Sequence, residues 1–158
     1  MNTARNSVNP QHRRAAWHSA LLTWLVGLAV SASPVDAGPK PKQFLANLNA
    51  GQETLAIASN AFGVAHLTFD EASKMLCMTA SYSGLSSAES AAHIHGPALP
   101  GEDAGILFPL PVGSPKDTCV GPLDTDQKKA LLQNELYMNV HTADNTSGEI
   151  RGQILRIK

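Results

Sequence analysis

Between residue 43 and the C-terminus, short runs of alternating apolar and polar side chains follow one another, each closed by Gly, Pro, Asn or Asp before it reaches helical length. A period of two sends successive side chains to opposite faces of an extended strand. Many short strands separated by turn residues build a sandwich or barrel, not a helical bundle. In Gln43 to Ala50 the side chains of Phe44, Ala46 and Leu48 share one face. Phe62 to Asp70 and Lys74 to Gly84 read as a hairpin joined by Asp70-Glu71-Ala72-Ser73. Ala91 to His95 and Gly105 to Leu110 are shorter strands, and Pro109 and Pro111 confine the second to a sheet edge. Leu136 to Thr142 and Glu149 to Ile157 are the clearest strands in the chain. One helix is expected near residues 124 to 134, where Asp124 stands at the cap and Gln127 three residues later completes a capping box. The expected class is all-β, an antiparallel β-sandwich with one short helix.

The first 37 residues read differently. Arg13 and Arg14 precede an apolar run from Ala20 to Ala32, and Val35-Asp36-Ala37 supplies a small-residue cleavage pattern. A run of about 13 residues falls short of the roughly 20 needed to cross a bilayer. The reading is therefore a cleavable signal peptide over residues 1–37 and no stable membrane anchor, with a secreted or periplasmic product. Residues 38–42 form a Pro/Lys leader and residues 43–158 the domain. That product carries 9 Lys+Arg against 12 Asp+Glu. A net charge of −3 lacks the basic face that nucleic acid requires, so no nucleic-acid partner is expected.

Both cysteines, Cys77 and Cys119, fall inside the domain. In an oxidising compartment an isolated pair favours a disulfide, with two small buried thiols as the alternative.

The chemistry gathers on three strands. His93 and His95 point the same way from Ala91 to His95, so two imidazoles can converge on one ion. In Leu136 to Thr142 the apolar Leu136, Met138 and Val140 form one face, leaving Tyr137, Asn139 and His141 on the other. The same rule sends Glu149, Arg151 and Gln153 outward and Ile150 and Ile154 inward. His93, His95 and His141 are the candidate metal ligands, for copper or zinc. Glu149, Arg151, Asn139 and Tyr137 are candidates to orient them from behind. The bland alternative is a set of polar outer-face residues bonding to neighbouring strands. His66 reads as an outward strand residue, and Met75 and Met78 as strand core. Neither a Ser/His/Asp elbow nor a phosphate-binding glycine pattern occurs, so no catalytic residue is assigned.

Several of these runs resemble a known family. They are Ala92-His93-Ile94-His95-Gly96-Pro97-Ala98, Leu136-Tyr137-Met138-Asn139-Val140-His141-Thr142 and Gly148-Glu149-Ile150-Arg151-Gly152-Gln153-Ile154, with Phe44-Leu45-Ala46, Gln52-Glu53, Gly63-Val64-Ala65 and Tyr82-Ser83-Gly84-Leu85 upstream. Together they resemble the CHRD domain, the module named after chordin, over about residues 43 to 156. The resemblance implies an exported, mostly antiparallel β domain of a kind found in bacterial single-domain proteins and larger extracellular proteins. The cysteine pair is not part of that pattern. A strand His-x-His, a later strand His and an exported sandwich are also similar, locally, to the copper site of Cu,Zn superoxide dismutases. Gly96 to Gly105 contains no His, so the dismutase zinc loop has no counterpart. The expected sandwich is accordingly immunoglobulin-like or Cu,Zn superoxide dismutase-like.

Two function classes follow. The first is an exported, non-catalytic binding or structural module with an extracellular or periplasmic protein partner. The second is a copper- or zinc-binding protein using His93, His95 and His141, with redox activity as its extension.

Overall fold

The computed structural model describes residues 40–157, so the expected signal peptide lies outside the described residues. Among the described residues nine strands and one α-helix follow in order. They are β1 (Lys42–Asn49), β2 (Phe62–Phe69), β3 (Leu76–Ser83), β4 (Glu89–His95), β5 (Ile106–Leu110), β6 (Lys116–Val120), α1 (Thr125–Leu132), β7 (Tyr137–Thr142), β8 (Ile150–Gln153) and β9 (Leu155–Arg156). Every pairing is antiparallel, and the hydrogen-bonded order is β5-β4-β7-β8-β1-β2-β3-β6, with β9 added to β1. The all-β class with a single short helix is borne out.

The period-two pattern explains the core. Phe44, Ala46 and Leu48 of β1, Leu67 and Phe69 of β2, Met78 of β3, Ile94 of β4, Met138 and Val140 of β7 and Ile150 of β8 are all at most 2% exposed and form one cluster. Strands from both ends of the order feed that single cluster, so the sheet is folded over on itself into a sandwich-like barrel. Each fully buried Leu, Ile, Phe or Met contributes about 1.5–3 kcal/mol relative to exposure. Met75 differs from expectation: it is half-buried and precedes β3, whereas Met78 lies in the core.

The two ends of the folded sheet meet through side chains. Glu89, at the start of β4, accepts from the Gly113 amide at 2.7 Å, from Lys116 Nζ at 2.7 Å and from the Tyr82 hydroxyl. The Glu89 and Lys116 side chains are only 6% and 1% exposed. Lys116 completes its shell by donating to the Pro111 and Gly113 carbonyls. Strand β6 was invisible to the alternation rule because its inward position carries this lysine.

Cys77 and Cys119 lie opposite one another in the β3–β6 register and are joined by a disulfide. Helix α1 begins as the capping box requires: the Gln127 amide donates to Asp124 Oδ1 at 2.8 Å, and the Asp124 amide to Gln127 Oε1 at 3.0 Å. Its Ala130 and Leu131 dock on the core, and the chain passes from the β6 edge back to β7. The expected strand from Glu149 to Ile157 divides at Ile154, whose amide donates to the Leu136 carbonyl, so its second part pairs with β1 alone.

Candidate metal centre

The outer face of β4, β7 and β8 carries the histidines, but it is not the open polar surface that alternation predicts. Tyr137, Asn139, Glu149, Arg151 and Gln153 are at most 5% exposed. The correction has a physical cause, because two segments without strand structure roof this face. The loop from Pro97 to Ala104 covers one side: Gln153 Nε2 donates to the Ala98 carbonyl at 2.9 Å and Arg151 Nη2 to the Leu99 carbonyl at 3.4 Å. The segment after β1 covers the other, with the Gln153 amide donating to Gln52 Oε1 at 3.1 Å and Ser59 Oγ to Glu149 at 2.6 Å. Thr54 Oγ1 ties the two roofing pieces together by donating to Asp103 at 2.9 Å.

His93 and His95 leave β4 on one side, with Ile94 buried in the core behind them, and His141 comes from the neighbouring β7. One ring nitrogen from each of the three lies within 4.8 Å of the others. His95 Nδ1 is 2.9 Å from the Ala104 carbonyl, and His141 Nδ1 is 2.9 Å from the Thr146 carbonyl. A carbonyl only accepts, so both Nδ1 atoms carry the proton and both Nε2 atoms present lone pairs. His93 Nδ1 and His141 Nε2 are 3.0 Å apart. His95 Nε2 is buried and without a hydrogen-bond partner.

The electrostatics favour the neutral form of His93 and His95. Burial lowers the His93 pKa below the ordinary value, and the neighbouring His141 and His95 lower it further. Burial also lowers that of His95; the Ala104 carbonyl opposes the shift and His141 reinforces it. Neutral imidazole is the form that binds metal.

The four residues expected to orient the histidines divide. Tyr137 stacks face to face on His95, with centroids 4.9 Å and planes 4° apart. The Arg151 guanidinium carbon lies 3.5 Å from the centroid of the same tyrosine ring. Asn139 stands directly opposite His93 in the β4–β7 register. Glu149 does not serve the histidines. Its carboxylate accepts from Ser59 Oγ, the Ser86 amide and hydroxyl, and Thr142 Oγ1 at 2.6–2.8 Å. Burial alone would raise its pKa, but these hydrogen bonds outweigh burial and hold it down to about 2. It is a tie between distant segments. His66 is exposed on β2, as expected of an outward strand residue.

Several parts of the site were missed. The Ala104 and Thr146 carbonyls are backbone atoms, which no residue type announces. Glu53 packs above Gly148, where φ is +130° and any Cβ would fall 2.6 Å from Glu53 Oε1. Burial raises the Glu53 pKa to about 7, against the lowering field of Arg151. Gln52-Glu53 does occur among the motifs that carry the family resemblance, which was the one available signal.

Four tetrahedral ligands at about 2.0–2.1 Å lie about 3.4 Å apart. The 3.0 Å pair and the 4.8 Å limit on all three donors bracket that spacing. Three imidazoles, two of them fixed from behind by carbonyls, are the donor set of copper and zinc sites. In comparison with known proteins, the family model described as the CHRD domain matches residues 44–154. No curated protein and no solved structure matches the chain.

Proposed function

The chain belongs to the CHRD domain family, and on that premise we propose that it is an exported β-sandwich module that binds a copper or zinc ion through His93, His95 and His141. The carrying observation is the convergence of three ring nitrogens within 4.8 Å, with His95 Nε2 buried, partnerless and aimed by a carbonyl on the opposite nitrogen. A bound ion gives that lone pair the partner it lacks. His93 and His141 are half-exposed, which leaves the outer side of the site open to water or an exogenous ligand. Export is supported by the charged and apolar N-terminal segment and by the disulfide, which persists in oxidising compartments. Among the described residues no helix is long and apolar enough to cross a membrane.

The 3.0 Å contact between His93 and His141 also supports a second reading, in which the pair hydrogen-bonds and the module binds a protein partner without metal. Elemental analysis of protein purified without added metal separates the two. Stoichiometric copper or zinc, lost in His95→Ala, is the expected result. Equal affinity of parent and His95→Ala in competition titration leaves only the structural reading.

A further inference from the structure

Four buried side-chain polar atoms among the described residues have no hydrogen-bond partner: Glu53 Oε1, His95 Nε2, Asn139 Oδ1 and Arg151 Nη1. Glu53 and Arg151 are charged groups within each other's field, and Arg151 Nη1 also has Asp103 Oδ1 at 3.5 Å. His95 Nε2 and Asn139 Oδ1 are different. With its proton on Nδ1 toward the Ala104 carbonyl, His95 offers only a lone pair at Nε2. An amide oxygen also only accepts. Two buried acceptors with no donor are costly neighbours in a low-dielectric interior, and a cation satisfies both.

The topology puts Asn139 among the ligands. It is directly opposite His93 across the β4–β7 ladder, and it precedes His141 by two residues on the same face of β7. Its side chain lies within hydrogen-bonding reach of the His95 imidazole, so it stands beside one histidine and on the strand face of the other two. We propose that Asn139 Oδ1 is a fourth ligand, so that the centre is a three-nitrogen, one-oxygen site selective for a divalent ion over Cu⁺. A carbonyl oxygen suits harder divalent ions, whereas Cu⁺ is selected by thiolate and thioether sulfur. The sulfur nearest in sequence, Met138, is fully buried on the opposite, core side of β7. This inference rests on the metal-binding reading above.

The test is competition titration with Zn²⁺, Cu²⁺ and, under reductant, Cu⁺, on the parent, Asn139→Leu, Asn139→Asp and His95→Ala, each first checked for a native circular dichroism spectrum. Asn139→Leu is expected to weaken Zn²⁺ and Cu²⁺ binding roughly tenfold or more and to leave Cu⁺ binding unchanged. Asn139→Asp, nearly isosteric and anionic, is expected to tighten divalent binding roughly tenfold and keeps the test valid if the leucine variant fails to fold. Unchanged divalent affinity in either variant overturns the fourth ligand, as does an equal loss for all three ions. A parent that binds and loses affinity only in His95→Ala overturns this inference alone. A parent with no affinity overturns it together with the reading it rests on.

Discussion

The phenol ring of Tyr137 on β7 contacts both the His95 imidazole of β4, stacked with centroids 4.9 Å apart, and the Arg151 guanidinium of β8, whose carbon lies 3.5 Å from the ring centroid. Its hydroxyl accepts from the Ala104 amide at 3.2 Å, so the ring also holds the loop whose carbonyl orients His95. Tyr137→Phe keeps the stack and loses both hydroxyl hydrogen bonds to Ala104, one accepted from its amide and one donated at 3.5 Å to its carbonyl, at about 1 kcal/mol each. Metal affinity is expected to survive it. Tyr137→Ala removes the ring and leaves a cavity, at about 3–5 kcal/mol. Urea unfolding and metal titration of the two variants check this, and equal affinity in both would remove the positioning role.

Acid should act on the histidines in two ways. His93 and His95 have pKa values lowered by burial, so the unfolded chain takes up protons at higher pH than the folded one. More protons bound by the unfolded state means that stability rises with pH. The metal-free domain is therefore expected to hold full stability above about pH 6.5, the unfolded histidine value, and to lose some as pH falls below it. Metal affinity should fall over the same range as protons compete for the ring nitrogens. Denaturant midpoints and metal titrations between neutral pH and about pH 5 read both, and a flat midpoint in that window would count against the buried neutral rings.

Glu149 gives a separate acid dependence. Its pKa is about 2 in the folded protein, below the ordinary 4.5. The unfolded state again binds more protons between the two values, so this contribution is complete above 4.5 and is lost as pH falls toward 2. Glu149→Ala leaves the donors of Ser59, Ser86 and Thr142 without their acceptor and should cost about 3 kcal/mol or more. Chemical denaturation measures it; a loss under about 1 kcal/mol would show that water replaces the carboxylate.

Lys116→Met strands the Glu89 carboxylate in a buried setting and is expected to cost about 3–5 kcal/mol. Combining it with Glu89→Gln should recover part of that loss, since the uncompensated charge is gone. A double-mutant cycle in urea gives the coupling directly, and additive losses would refute it.

Removing the disulfide by Cys77→Ser with Cys119→Ser opens a loop with a sequence separation of 42. The chain-entropy treatment puts the loss at about 4 kcal/mol. Metal affinity should not change, because neither the three histidines nor the carbonyls bonded to them belong to β3 or β6. Thermal melts with and without reductant, beside a metal titration, test both halves.

The strands were legible wherever one face is apolar. Phe44, Ala46 and Leu48 announced β1, and Asp124 with Gln127 announced α1, because those patterns arise from backbone geometry alone. Histidines two apart on β4 and one on β7 announced their shared face for the same reason. Alternation is silent about what covers a face. Arg151 and Glu149 looked solvent-bound because their roof comes from residues about 50 and 90 positions away, Leu99 and Ser59. Lys116 hid β6 because a buried lysine is intelligible only once Glu89 is known to face it.

That lysine and its glutamate have a bearing on how the molecule comes apart. Along the path from β5 to β6, backbone ladders join each strand to the next, whereas the loop of strands is fastened shut by the side chains of Glu89, Lys116 and Tyr82. Among the described residues, those three side chains act as a buckle on the domain. Unbuckling it frees an edge without breaking a single rung between β4 and β7, so the pair of strands bearing the histidines can outlast the opening of the barrel, and slow amide exchange should persist there after the buckle has let go.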